Sequence, residues 1–226
     1  LKKINKAVIK NSSQKIIFGK DYSYKNKVGG FLYKDTLGKI ELPLPNLLGN
    51  FQISNVSTAI ATVRALKKFK VTDSQIKHSI TKIRSEGRLQ DITNGKLRKY
   101  VSKNNQILLD GAHNLMAATA VEKYLGTLNS KRKIIMLLGM MSNKDHKNFI
   151  NKFKNKVHSI ITLDIPNQVN FMKKEKLSKI AQSCGIPSRS ENSIGSALSN
   201  IAKKNDDAII FCTGSLYFCG EILNLN

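Results

Sequence analysis

Short apolar runs alternate with helical apolar patterns through the second half of the chain. Runs that predict strands cover residues 106–109, 133–138, 159–163 and 208–212. Between and after them, apolar residues recur every three or four positions, which predicts helices over the stretch after Asn114 and over residues 145–153, 174–183, 193–203 and 216–223. Such β–α alternation predicts an α/β fold with a mainly parallel sheet and helices on both faces.

The first part of the chain has a different pattern. Strand-like runs at residues 15–18, 30–33 and 39–42 are separated by turn glycines. Helical patterns follow over residues 51–69 and 73–83, the second with Thr72 or Asp73 as its N-cap. Residues 97–101 are expected to pair with 106–109 as a hairpin. We expect a boundary near Gly87 and therefore two domains, residues 1–86 and 87–226.

Composition indicates a globular protein with a strong positive charge. Apolar residues make up 41% of the chain, and no apolar run approaches the roughly 18 residues that would span a membrane. The formal net charge of +23 suggests a polyanion as partner. However, the lysines are spread along the whole chain, aromatic residues are only 7%, and Trp is absent, so base-stacking platforms are scarce and a nucleic-acid-binding module is only an alternative.

The cysteines and the first residue give weaker indications about the compartment and the extent of the chain. Cys184, Cys212 and Cys219 are an odd set without Cys-x-x-Cys spacing, which argues against a disulfide framework or a zinc site and for a reducing cytoplasm. Since the chain starts at Leu1 and not at Met, we expect it to continue upstream.

Candidate chemistry is concentrated in the turn after the strand at 106–109. Asp110, Gly111, Ala112, His113 and Asn114 join this strand to a predicted helix for which Asn114 is a suitable N-cap. Ligands of open α/β sheets bind at the carboxyl ends of strands, and helix N-termini favour anions. The alternative is an ordinary strand–turn–helix connection in which Asp and Asn serve only as turn and cap residues.

The motif Asp-x-Ala-His-Asn in this turn resembles a signature of the folate branch of the Mur ligase superfamily, which contains folylpolyglutamate synthase and the bifunctional dihydrofolate synthase. Further stretches agree with that family in order and spacing: Gly-Arg-Leu-Gln at 87–90, Leu-Gly-Met-Met-Ser-Asn-Lys-Asp at 138–145, and Thr-Gly-Ser-Leu-Tyr at 213–217. The resemblance extends from about residue 42 to residue 225.

A fifth stretch agrees with one departure. Residues 49–55 resemble the family's Gly-x-His-Gln-x-x-Asn, whose Asn contacts the adenine of ATP and matches Asn55. Phe51 stands where the family has His, which puts any role of that His in doubt. A polar residue on a helix surface is the alternative for Asn55.

The resemblance implies a fold and an activity. The fold would be a Rossmann-like carboxyl-terminal Mur ligase domain, preceded by the tail of the central ATPase domain. The activity would be ATP-dependent addition of L-glutamate to folates through an acyl phosphate, with dihydropteroate left open as a further substrate. The runner-up within the superfamily is an amide ligase acting on cell-wall precursors, but the Thr-Gly-Ser-Leu-Tyr ending favours the folate branch.

The resemblance also implies roles for particular residues. Arg88 would be catalytic and contact ATP, because a guanidinium is permanently charged and can bridge phosphate oxygens; a surface arginine is the alternative. Asp110 would accept hydrogen bonds from the ribose, and His113 would approach the base or be structural. Lys144 and Ser215 would hold the carboxylates of glutamate. No residue of this chain is expected to bind metal.

The nucleotide's phosphates need a P-loop, and neither Gly-x-x-x-x-Gly-Lys-Ser/Thr nor the shorter Gly-Lys-Ser/Thr occurs here. We therefore expect a partial enzyme whose Mg²⁺ ligands lie in an upstream region, and a full-length ligase that is a cytoplasmic monomer.

Overall fold

The computed structural model describes residues 2–66, 68–128 and 131–226, and for Lys2, Lys3 and Ala7 it describes the backbone alone. The chain forms two compact units, Leu1–Arg84 and Ser85–Asn226. The assignment of the first unit to the tail of an ATPase domain stays a prediction. Within the described residues no helix is long and apolar enough to cross a membrane.

The first unit contains a three-stranded antiparallel sheet and helices. Its elements are α1 (Lys2–Lys10), β1 (Tyr22–Lys27), β2 (Gly30–Asp35), β3 (Gly38–Pro43), α2 (Phe51–Arg64) and α3 (Asp73–Ile80). The strands pair in the order β1-β2-β3, and buried side chains from the sheet, α2 and α3 form one core. The expected cap of α3 is confirmed, because Thr72 and Gln75 form a capping box.

Other predictions for this unit were wrong. Residues 15–18 do not form a strand; Phe18 makes only an isolated bridge to Tyr22 beyond the turn at Gly19. The true strand, β1, is mostly polar, so its apolar pattern is weak. The helix predicted over residues 51–69 ends at Arg64, and Phe69 beyond it is 68% exposed. Lys67, inside that predicted helix, lies outside the described residues.

The second unit is the α/β domain that the alternating pattern predicts. Its strands are β4 (Gln90–Asp91), β5 (Gln106–Leu109), β6 (Ile134–Leu138), β7 (Ser159–Thr162), β8 (Ser188–Ser190) and β9 (Ile209–Thr213). Its helices are α4 (Leu115–Thr127), α5 (His146–Asn151), α6 (Lys174–Ser183), α7 (Ile194–Lys204) and α8 (Leu216–Asn224), with a 3₁₀ helix at Lys96–Tyr100.

The six-stranded sheet has the order β4-β5-β9-β6-β7-β8. Strands β5, β9, β6, β7 and β8 are parallel, and only the edge strand β4 runs antiparallel, so the mainly parallel sheet is confirmed. The last strand, β9, lies between β5 and β6, which are earlier in the chain. All five residues of β6 and of β9 are buried, as expected of strands covered on both faces.

Alternate side chains of these strands point to opposite faces of the sheet. On one face, Leu109 and Ile210 belong to a core that includes Leu198 of α7 and Ile222 of α8. On the other face, the ring of Phe211 lies 6.0 Å from that of Phe153, just after α5. The core thus extends over both faces and leaves the ends of the strands as the places where polar side chains reach solvent.

One predicted strand of this unit was wrong, and two short strands were missed. Residues 97–101 do not pair with β5; Lys96–Tyr100 form a 3₁₀ helix after Gly95, which has φ +96°. Leu97 is fully buried, and Arg98 donates to the carbonyls of Ser102 and Asn105, so the segment curls back on itself. The missed strands, β4 and β8, have only two and three residues and no apolar alternation.

Candidate functional site

The candidate site lies at the carboxyl edge of the parallel sheet, where β5, β9 and β6 end side by side. Backbone hydrogen bonds connect these ends: the N–H of Asp110 donates to Cys212 at 2.9 Å, and the N–H of Gly139 donates to Thr213 at 3.2 Å. The loops that follow the three strands contain Asp110 and His113, Ser215, and Lys144 respectively. These predicted site residues therefore occur on neighbouring loops of one edge, where open α/β sheets bind ligands.

Asp110 organises the turn after β5. Its side chain is 3% exposed, and its oxygens accept hydrogen bonds from the N–H groups of Leu89 at 2.9 Å and Ala112 at 2.8 Å. The carboxylate thus joins the turn to a segment 21 residues earlier. The ribose contact expected of Asp110 stays a prediction.

Gly111 allows close packing over this turn. A Cβ atom at Gly111 would come within 2.3 Å of the Leu216 Cδ2 atom. Since a side chain at this position would have to displace Leu216, the first residue of α8, the glycine lets α8 lie directly against the turn.

The segment from Gly87 to Gln90 is attached to the same turn. The carbonyl of Gly87 accepts from the N–H of Gly111 at 2.8 Å, and Gln90 pairs with Leu109. The segment has two positive φ angles, +64° at Gly87 and +46° at Leu89. Glycine adopts such an angle freely, but leucine adopts it rarely, so the backbone at Leu89 is strained and needs support from its surroundings.

Arg88 lies between these two residues and presents its side chain to solvent. It makes none of the side-chain hydrogen bonds or ion pairs found among the described residues. Its Nη1 atom would be 3.6 Å from a Cβ placed on Gly111, so the guanidinium lies beside the Asp110 turn. An exposed, positioned arginine beside a strand end is suited to binding an anion.

The charges at this turn influence one another. Burial raises the pKa of the Asp110 carboxyl above its ordinary value, although hydrogen bonds from Leu89 and Ala112 and the charge of Arg88 oppose the shift. Burial, together with the charge of Asp110, raises the pKa of the Cys219 thiol to about 12. The Cys219 thiol is therefore neutral at ordinary pH, and the guanidinium of Arg88 is a positive charge that acts on the Asp110 carboxyl.

His113 and Asn114 complete the turn. The Nδ1 atom of His113 lies 2.9 Å from the carbonyl oxygen of Gly111, which accepts the bond when Nδ1 carries the proton. In that tautomer the neutral ring keeps Nε2 as an acceptor. The Asn114 side chain accepts from the N–H of Ala117 at 2.9 Å, so the predicted N-cap of α4 is confirmed.

Lys144 lies in the loop between β6 and α5 and is partly exposed. The residues around it are anchored: Ser142 donates from its N–H to Asn170 at 2.8 Å, and the His146 ring bonds with the carbonyl of Met141 at 3.0 Å. Asp145 is the N-cap of α5, because it accepts from the N–H of Asn148 at 3.2 Å. Lys144 is thus a cation on an anchored loop.

Ser215 follows β9 and is 3% exposed. Its hydroxyl caps α8 by accepting from the N–H of Tyr217 at 3.1 Å, a role the sequence reading did not include. The preceding Gly214 has φ +110°, and a Cβ there would meet the carbonyl oxygen of Gly139 at 2.5 Å. The Gly-Ser pair therefore lets the ends of β9 and β6 pack closely while α8 begins.

Asn55 belongs to the first unit, on the second turn of α2. Its side chain is exposed, and its Nδ2 group donates to the Oε1 atom of Gln52 at 2.9 Å. Gln52 is itself 2% exposed. The side-chain amide oxygen of Asn55 therefore belongs to an exposed group. The adenine contact expected of Asn55 stays a prediction.

No group of three or more His, Cys, Asp or Glu side chains within residues 2–66, 68–128 and 131–226 is arranged to hold a metal ion. The described residues of the second unit thus offer cations and hydrogen-bonding groups to an anionic ligand, and no cluster for a divalent cation.

Sequence reasoning missed two residues that shape the site. Leu89 holds a positive φ and donates to Asp110, but nothing in an ordinary Leu next to Arg signals either property. Cys219 lies close enough to Asp110 and Arg88 for their charges to act on it, and only the docking of α8 brings it there.

Comparison with known proteins finds similar sequences over most of the chain. A family model described as dihydrofolate synthetase, C-terminal domain, matches residues 93–225. A relative from Buchnera aphidicola (strain APS), the dihydrofolate synthase/folylpolyglutamate synthase, is 28% identical over 175 residues, covering 76% of this chain and 39% of that protein. The dihydrofolate synthetase of Saccharomyces cerevisiae is 23% identical over 211 residues, covering 88% of this chain and 49% of that protein.

Solved structures share the fold. Escherichia coli FolC in complex with DHPP and ADP matches with a TM-score of 0.79 at 18% identity, covering 99% of this chain and 50% of that one. The bifunctional folylpolyglutamate synthase/dihydrofolate synthase with Mn, AMPPNP and L-glutamate bound matches with a TM-score of 0.79 at 17% identity, with 99% and 50% coverage. The chain spans no more than about half the length of these relatives.

Proposed function

Because this chain belongs to the family of the dihydrofolate synthetase C-terminal domain, we propose that it is part of an ATP-dependent ligase that adds L-glutamate to folates. The observation that carries the proposal is the exposed guanidinium of Arg88, held beside the Asp110 turn in a chain whose residues 93–225 match that family. Dihydropteroate is a second acceptor that we include, since relatives named as dihydrofolate synthases are among the matches.

The proposed reaction has two steps. The γ-phosphoryl group of ATP passes to a carboxylate oxygen of the folate or pteroate, which gives an acyl phosphate and ADP. The amino group of glutamate then attacks the acyl carbon, an amide forms, and inorganic phosphate leaves. Since negative charge must be stabilised on the transferring phosphoryl group, a permanently charged and positioned cation is the group that accelerates the first step most directly.

We assign that role to Arg88, and we assign contacts with the adenine base to His113 and, in the first unit, to Asn55. The assignment of Arg88 is supported by its exposed side chain and by the hydrogen bonds that hold its flanking residues in place. Support for His113 is its Nδ1 bond to Gly111, which leaves Nε2 as an acceptor that an adenine amino group could use. Support for Asn55, in the first unit, is its exposed side-chain amide.

Glutamate would be held by Lys144 and Ser215. The lysine supplies a charge on an anchored loop, and the Ser215 hydroxyl accepts from Tyr217 while its own hydrogen can donate to a carboxylate. Both residues follow neighbouring strands, β6 and β9, so one small dicarboxylate can be recognised from two loops.

The metal belongs to the rest of the enzyme in this proposal. A divalent cation, which we propose to be Mg²⁺, would neutralise charge on the ATP phosphates when bound. The described residues offer no cluster for it. Since neither P-loop motif occurs in the sequence, we propose that the P-loop and the metal ligands lie in an upstream region, and that residues 1–86 are the tail of the central ATPase domain. Residues 87–226 would be the carboxyl-terminal domain, and the whole ligase a cytoplasmic monomer.

A labelled-glutamate assay on the full-length protein tests the proposal. With ATP, Mg²⁺ and radiolabelled L-glutamate, we expect label to enter a folate or dihydropteroate with stoichiometric release of ADP and phosphate. Incorporation into a cell-wall precursor, and not into either pterin substrate, would establish the other branch of the superfamily. Single-stranded DNA binding that weakens steeply with salt, without any glutamate transfer, would instead indicate a nucleic-acid module.

A further inference from the structure

We propose that Asp110 is a positioning residue for Arg88: its carboxylate holds the strained backbone of Leu89, which fixes the direction of the Arg88 side chain, and it does not itself touch the nucleotide. The inference deepens the proposed function and rests on the role assigned to Arg88. It replaces the expected ribose contact of Asp110 with an action through the backbone.

The first observation is that the carboxylate is already engaged. One oxygen accepts from the N–H of Leu89 at 2.9 Å and the other from the N–H of Ala112 at 2.8 Å. The side chain is only 3% exposed, and both donors belong to residues that are 1% exposed. A ribose hydroxyl would have to enter this buried space, and the bonds that are present would have to open for it.

The second observation is the conformation on either side of Arg88. Gly87 has φ +64° and Leu89 has φ +46°. A residue with a Cβ atom leaves the left-handed region unless its surroundings hold it there. Leu89 is held by its buried side chain and by the N–H bond to Asp110.

The third observation is that the other neighbours of Arg88 are attached to the same turn. Gly87 accepts from the N–H of Gly111 at 2.8 Å, and the N–H of Gly87 donates to the Gln90 side chain at 3.0 Å. The hydrogen bond to Asp110 therefore holds the backbone on the carboxyl side of Arg88, and the hydrogen bond from Gly111 holds it on the amino side. If the hydrogen bond between Leu89 and Asp110 opens, Leu89 can relax to negative φ and the guanidinium moves away from the turn.

This arrangement explains why the residue is an acid. Both carboxylate oxygens accept hydrogen bonds, whereas the side chain of Asn accepts through one atom and donates through the other. Asp110→Asn keeps the volume of the side chain but places a donor against one of the two N–H groups. The variant therefore separates acceptor chemistry from packing.

Kinetics of the full-length ligase with ATP, 2′-deoxy-ATP and 3′-deoxy-ATP test the inference. For Asp110→Asn we expect kcat to fall on the order of tenfold or more, since losing a preorganised cation in the transition state costs on that scale. The preference for ATP over each deoxynucleotide should remain that of the wild type. Loss of that preference would show a ribose contact and overturn the inference.

A double-mutant cycle with Arg88→Ala gives the second criterion. If Asp110 acts through Arg88, then adding Asp110→Asn to Arg88→Ala should change kcat by less than about threefold, because coupled residues are not additive. Independent effects that multiply would contradict the positioning role. Leu89→Ala, compared with Leu89→Gly, leaves Asp110 intact and removes the leucine side chain in both variants. Alanine disfavours the positive φ and should lower kcat further than glycine, which adopts that angle freely, and equal effects would contradict the positioning role.

A measurement that needs no activity separates this inference from the proposed function. In the 226-residue chain, NMR should show the Leu89 amide protected from hydrogen exchange, with a scalar coupling typical of positive φ. Asp110→Asn should accelerate that exchange and shift the coupling, while Asp91→Asn, at an exposed acid on β4, should change neither. An unchanged Leu89 in Asp110→Asn would overturn the inference, even in an active ligase. Absence of glutamate transfer in the wild type would overturn the proposed function alone.

Discussion

Replacement of Arg88 by Ala in the full-length ligase should reduce turnover far more than stability. The side chain is exposed, and the bonds that hold its segment, Gly111 to Gly87 and Leu89 to Asp110, use backbone and carboxylate atoms only. A surface substitution of this kind usually changes the free energy of unfolding by no more than about 0.5 kcal/mol.

One electrostatic effect adds to that cost. The charge of Arg88 lowers the pKa of Asp110, which burial raises, so the positive charge favours the ionised carboxylate. Its loss adds about 1 kcal/mol at most at neutral pH, because Arg88 itself is solvated and such interactions are screened. The total loss of stability should therefore stay below about 1.5 kcal/mol.

The expected catalytic effect is larger. A donor that stabilises developing charge in the transition state contributes about 2.7–4 kcal/mol, which corresponds to a loss of about 10²–10³ in kcat. Steady-state kcat from ADP release and the melting temperature from calorimetry would measure the two effects on one preparation. Arg84→Ala is the matched control, since Arg84 is also an exposed arginine close in the chain. Normal turnover with a clearly lower melting temperature would show that Arg88 has a structural role and not a catalytic one.

Three further predictions concern the same edge of the sheet. Lys144→Ala should raise the KM for glutamate about ten- to a hundredfold, because one charge-assisted hydrogen bond contributes roughly 1.5–3 kcal/mol, and it should leave the KM for ATP nearly unchanged. Lys147→Ala is the control, and equal rises of KM for both substrates would show that Lys144 does not bind glutamate. Ser215→Ala should lower the free energy of unfolding by about 0.5–2 kcal/mol through loss of the α8 cap, with Ser215→Gly costing only a few tenths; chemical denaturation measures both, and a neutral alanine variant would mean that the cap contributes nothing. The pH dependence of unfolding should contain a contribution from Asp110, because its pKa is higher in the folded protein than in the unfolded chain. This contribution stabilises the fold below about pH 4, the pKa in the unfolded chain, and it is lost as the pH rises through the folded-state pKa. Asp110→Asn should remove this part of the slope, and an identical slope in the variant would contradict the shift.

The strands and helices of the second unit were predicted well because their signals are local. The apolar runs of β6 and β9 are uninterrupted and buried, and the bounds of α6 agree with the helix predicted from its spacing. The caps Asn114 and Thr72 act on N–H groups three residues away, so a short stretch of sequence contains the whole interaction. The 3₁₀ helix at Lys96–Tyr100 was missed because Arg98 stabilises it through carbonyls beyond the segment.

For the candidate site, the sequence alone determined which residue types are present and which strand end or helix start they follow. Asp110 and Arg88 were found from short motifs, because a motif is a local property of the chain. How these residues contact each other depends on the tertiary structure. The insertion of β9 between β5 and β6 aligns three loops on one edge, and it depends on pairing residues about a hundred positions apart. Likewise, Leu89 has a positive φ and donates its N–H to a carboxylate 21 residues later, and no local preference of leucine would predict either feature.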